Sequence, residues 1–186
     1  NYLTNKFFDN NTTLIFYSAL LNLIFLPFIF LFVGLPQLPS INSIWLFLGL
    51  ALINVIYLYP YYKALEQNDT SKVVALFSLG QVFVPILAFF IVKEVLSPIQ
   101  YLGVAIIICV SLILSFQEGS RFRINSSFWW MILCTFILSF EYIMYKLIFI
   151  SVDWITGFTW PIVLSFLITL CLIFFKSVRK DIVETW

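Results

Sequence analysis

The stretch FSLGQVFVPILAFFIVKEVLSPIQYLG, residues 77–103, decides how the rest of the chain is read. Two apolar runs flank one charged pair, Lys93–Glu94, and a breaker, Ser97–Pro98. Inside the first run Gln81 and Pro85 stand four residues apart. In a hydrocarbon solvent such residues need a reason, because an unsatisfied polar group there costs several kcal/mol.

The remaining sequence selects that solvent. Of 186 residues, 62% are hydrophobic and 10% charged, against roughly 25% charged in a soluble domain. Mean hydropathy is +1.05. Charge is absent from 10–62, 73–92, 95–117 and 154–175, and the last three stretches hold 20, 23 and 22 residues. A bilayer helix needs about 20. The first stretch is too long for one helix and is punctuated by GLPQLPSINS, residues 34–43. The runs are apolar on every face and lack the alternation of barrel strands.

The expected fold is therefore an all-α, polytopic membrane protein with six spans. They are A (12–33), B (44–62), C (71–92), D (98–116), E (126–148) and F (155–175), each bounded by Gly, Pro or a polar cluster. Connections are short, so successive spans run antiparallel. Lys and Arg beside span ends divide eight to two. Lys6, Lys63, Lys72, Arg121, Arg123, Lys176, Arg179 and Lys180 fall on one side, Lys93 and Lys146 on the other. The positive-inside rule puts the first side in the cytoplasm, in a plasma or inner membrane.

Composition also excludes chemistry. There is no His, the commonest metal ligand and general base. Cys109, Cys134 and Cys171 all fall inside spans, as small apolar fillers. No phosphate loop, zinc spacing or serine elbow is present. No metal, no cofactor and no nucleic-acid partner is expected; the bilayer itself is the surrounding partner. A homodimer is one assembly open to such a chain.

Residues 61–116, YYKALEQNDTSKVVALFSLGQVFVPILAFFIVKEVLSPIQYLGVAIIICVSLILSF, resemble the EamA domain of the drug/metabolite transporter superfamily. The likeness rests on Ala64-Leu65, the polar segment 69–71, Pro85, Glu94, and Gln100 with Gly103. Lys93 stands where the family's pattern carries glycine. The resemblance implies ten helices in two inverted five-helix halves that move small metabolites. On it, 1–116 would hold the last four helices of the first half, 117–125 the connection, and 126–186 the first two helices of the second. One helix before Asn1 and three after Trp186 would complete the set. An alignment of Asp9 on Asp153, which also pairs Thr12 with Thr156 and Leu20 with Leu164, spans about five helices, as an inverted repeat requires.

Polar residues at membrane depth are the candidate solute contacts: Asn22 in A, Asn54 in B, Gln81 with Pro85 in C, Glu141 in E and Ser165 in F. Proline has no N–H, so Pro85 deprives the Gln81 carbonyl of its helical partner and leaves a polar notch. Interhelical hydrogen bonding is the other reading of these amides, at about 0.6 kcal/mol each. Glu141 is the sharpest candidate, because placing a carboxylate mid-span costs about 2.5–3.5 kcal/mol and such acids mark proton relays or ligand paths. Its alternatives are a protonated packing residue or a partner of Lys146. Glu94, at a helix end, reads as a turn residue beside the dipole of the next helix or as a solute contact.

Three functions fit in different degrees. A secondary carrier, proton-coupled or exchanging, uses the mid-depth polar residues and takes a small-molecule substrate. A non-transporting assembly or scaffold subunit needs none of them. A membrane enzyme acting on lipid-linked groups needs clustered acids or His at the interface, which the sequence lacks.

Overall fold

The computed structural model describes residues 11–40, 43–67, 73, 76, 77, 80–117 and 126–185. Regular structure among them is helical throughout. In chain order the helices are α1 (Asn11–Val33), α2 (Ile44–Ile56), α3 (Leu58–Gln67), α4 (Gly80–Leu87), α5 (Pro98–Gln117), α6 (Ser126–Ser151), α7 (Trp154–Leu170) and α8 (Lys176–Thr185). A π-helical turn, Ala88–Val92, follows α4, and a 3-10 turn, Cys171–Phe174, follows α7.

Boundaries have identifiable causes. Gly34 ends α1 in the left-handed region at φ 100°, its N–H bonded to the Phe30 carbonyl at 3.1 Å, as a C-terminal glycine cap does. The break at Tyr57 between α2 and α3 lies just before Pro60, which has no N–H for the Ile56 carbonyl. Asp153 caps α7 by accepting the Thr156 N–H at 3.1 Å.

Among the described residues, four helical segments are long and apolar enough to cross a membrane: Asn11–Val33, Ile44–Gln67, Ser126–Ser151 and Trp154–Phe174. They correspond to expected spans A, B, E and F. Expected span D corresponds to α5, Pro98–Gln117, and the described part of expected span C includes the apolar helix Val82–Val92. Span B runs on to Gln67, helped by the Lys63–Glu66 pair at 3.0 Å along one helix face. Large apolar side chains stay exposed along the spans, Phe32 at 90% and Leu31 at 79% among them, as lipid-facing residues should.

Two compact units make up the chain, Pro60–Ile143 and the pair of segments Tyr2–Tyr59 and Met144–Trp186. Within each unit, helices from beyond residue 126 pack on earlier ones.

In the first unit α6 buries Ser127, Met131, Thr135 and Ser139, a stripe repeating every four residues. Ser127 donates to the Ala64 carbonyl at 3.0 Å, and Ser139 lies 3.3 Å from that of Gly80. Small residues let the backbones close in and the hydroxyls bond across the seam. Met131 packs with Ala64, Val73 and Leu76, and Phe83 meets Phe136 edge-on at 5.4 Å.

In the second unit α7 packs against both α1 and α2, with Thr156, Gly157, Thr159, Pro161, Ser165 and Thr169 buried. Phe47, Leu50 and Ile148 form its core, against Trp160 and Leu164. Gln37 donates its N–H to the Thr156 hydroxyl at 2.8 Å and accepts from the Trp160 indole at 2.7 Å. This pins the extended segment after α1 to the start of α7. Ala51 meets Ser165 farther along, so α2 and α7 run parallel, while Phe16 against Phe166 sets α1 antiparallel to α7.

Candidate functional site

The six expected solute contacts divide three to each unit. Pro85, Gln81 and Glu141 lie in the first. Pro85 sits inside α4 and faces a groove of about 380 Å³. Val82, Ile86, Phe89 and Phe90 share its wall, opposite Tyr101 and Val104 of α5. The groove is almost wholly apolar. The polar half of the expected notch, the Gln81 amide, lies outside the described residues.

The π turn ends at Lys93, whose φ of 59° is left-handed. The N–H groups of Lys93 and Glu94 both reach the Ala88 carbonyl, the second at 3.2 Å. Left-handed backbone is the geometry for which glycine is favoured, and this is the position where the resemblance expects glycine. The departure in sequence is thus a strained residue in structure.

Glu141 is half-buried on α6 and forms no ion pair among the described residues. Two turns earlier on the same face is Cys134, fully buried and within electrostatic reach of Glu141 on one side and Tyr61 on the other. Composition alone marks Cys134 as a small apolar filler, but the seven-residue step from Cys134 to Glu141 puts the two on one helix face.

Asn22, Asn54 and Ser165 belong to the second unit. Asn22 is exposed on α1. Ser165 donates to the Pro161 carbonyl at 2.6 Å and lies 3.2 Å from that of Ala51, so its hydroxyl already bonds within and across helices. Asn54 is half-buried, and its Oδ1 is buried without a hydrogen-bond donor. The Thr159 hydroxyl and the Asn11 Nδ2 are buried and unbonded as well. Neither was singled out from sequence, because a Thr within a span and an Asn at its edge carry no signal by themselves. Orphaned polar atoms at depth are where a solute or a water gains most by binding.

Outside the spans, Asp153 titrates below the usual carboxylate range. The cause is the Thr156 backbone N–H that its carboxylate accepts at the start of α7.

Residues 6–116 match the EamA-like transporter family. The chain belongs to that family. It is an integral membrane protein, and the match takes in α1 to α3 as well as the stretch around Lys93 from which the resemblance was drawn. The EamA-like segment ends before α6, so Glu141, Thr159 and Ser165 lie beyond it. No curated protein and no solved structure matched the chain.

Proposed function

We propose that this chain is part of a secondary carrier moving a small metabolite across a membrane, proton-coupled or by exchange, and not an enzyme. Membership of a transporter family supports the class. The observation that carries the mechanism is Glu141, a half-buried carboxylate with no ion pair among the described residues, inside a 26-residue apolar helix. An acid so placed binds and releases a proton as its surroundings open and close to water.

In this reading six spans are present, within a ten-helix inverted repeat. Asn54 and the Gln81–Pro85 turn contribute solute contacts, with Asn22 and Ser165 at the margins. The side carrying Lys63 and Arg121 is cytoplasmic. Full-length protein reconstituted in vesicles tests the class. Loaded with a mixture of amino acids, sugars and nucleotide sugars, such vesicles should take up at least one labelled counterpart faster than protein-free vesicles. Equal rates for every solute, with and without a pH gradient, would favour the assembly-subunit reading instead.

A further inference from the structure

Helix α8 carries its charges in the order its own backbone least favours. Lys176, Arg179 and Lys180 occupy its first half, Asp181 and Glu184 its second. No acid stands in the first turn. The N-terminal end of a helix bears partial positive charge and the C-terminal end partial negative, so the reverse order would stabilise it. An anion supplied from outside would offset the misplaced cations.

Steps of three and four residues put Lys176, Arg179 and Lys180 on one face, and all three are exposed. Val178 falls on the other side of the helix and is 1% exposed, where α8 packs on α1 and on the 3-10 turn. The cationic face is therefore turned away from the protein. Lys176 and Arg179 form no ion pair among the described residues. Lys180 already interacts within the chain, so the account rests on the other two.

Depth identifies the anion. Phe174 and Phe175 are 88% and 62% exposed, at the end of the apolar segment Trp154–Phe174. Rings so exposed and continuous with a span lie among acyl chains, at the edge of the headgroup layer. Lys176 is the next residue, and Arg179 stands three residues on, about 4.5 Å farther along the helix axis. Long basic side chains starting there reach the plane of the phosphates. A soluble anion or an acidic protein segment would answer only the charges. A lipid answers the exposed phenylalanines as well.

We propose that the Lys176–Arg179 face of α8 docks on anionic phospholipid, with phosphate between the ammonium and the guanidinium and acyl chains against Phe174 and Phe175. This surface is independent of Glu141 and of the solute carried.

The test is lipid binding by the full-length protein, read by native mass spectrometry after delipidation and re-addition of defined lipids. The parent should retain phosphatidylglycerol in excess of phosphatidylcholine. Lys176→Gln and Arg179→Gln should each weaken phosphatidylglycerol binding by about fivefold, the factor for one basic residue at an anionic surface. Lys176→Arg keeps the charge and should keep the lipid. Lys63→Gln, which removes a cation already paired with Glu66 on α3, should change nothing. Because both cations oppose the helix dipole, the two Gln variants should melt no lower than the parent in lipid-free detergent, which separates lost lipid from lost fold. Inorganic phosphate in excess should leave the lipid in place. Equal retention of the two lipids, phosphatidylglycerol binding unchanged in the double Gln variant, or a lower melting point in both single variants would overturn the proposal. Displacement by inorganic phosphate would overturn it too, leaving a site for the free anion.

Discussion

Gly157 lies so close to Phe149 that a Cβ added to it would stand 2.6 Å from the ring's Cε1 and 3.0 Å from the Ile148 Cγ2. This contact closes the turn by which α6 hands the chain to α7, with Asp153 capping between them.

Gly157→Ala sets two effects against each other. Alanine gains up to about 1 kcal/mol in helix propensity. Overpacking costs about 1–3 kcal/mol, and Ile148, 1% exposed, has no room to yield. The expected net is a destabilisation of about 1 kcal/mol in detergent unfolding. Phe149→Ala should relieve most of it, so the double mutant will be more stable than the sum of the singles predicts.

Two hydroxyls on α7 should behave oppositely. Ser165→Ala removes a bonded donor and should cost about 0.6 kcal/mol, the average for such bonds in membrane helices. Thr159→Val replaces a buried, unbonded hydroxyl with a methyl of the same shape, and should be neutral or stabilising. Unfolding midpoints of both variants in one detergent check the contrast.

Lys93→Gly should stabilise the turn. A left-handed non-glycine residue carries about 1–2 kcal/mol of strain, and glycine gives back about 0.4–1 kcal/mol through a freer unfolded chain. The gain expected is up to about 1 kcal/mol, seen as a higher unfolding midpoint.

Much of this fold was legible because its punctuation is chemical. Gly34, Pro98 and Asp153 set the limits of α1, α5 and α7 within a residue or two of expectation. The break at Tyr57 was readable from Pro60 but hidden in a stretch of tyrosines. Helix α8 was overlooked: Val178, 1% exposed, and Ile182 are one turn apart among Lys176, Arg179 and Lys180, a short amphipathic pattern that hydropathy alone averages away. The site was less legible. A hydroxyl in a span reads alike whether it bonds its own helix, a neighbour or nothing, and only packing separates Ser139 from Thr159. Asp9, one end of the aligned repeat, lies outside the described residues.

Asp153 gives a pH dependence with a definite sign. Its folded-state titration point is lowered by the Thr156 N–H, so its contribution to stability is present above the ordinary aspartate range, near 4, and is lost as pH falls through the lowered value. Asp153→Asn keeps a capping oxygen without titrating. The unfolding midpoint of the parent should fall toward acid more steeply than that of Asp153→Asn, while the two differ little near neutrality.

The central claim is that Glu141 couples solute movement to protons, and uptake into vesicles with and without a pH gradient tests it most directly. Glu141→Gln has the shape of the protonated acid and no charge, so it should insert as well as the parent. The account predicts that the mutant loses gradient-driven accumulation while exchange down a solute gradient survives. Equal gradient-driven accumulation by parent and Glu141→Gln would contradict it and leave Glu141 a packing residue of α6.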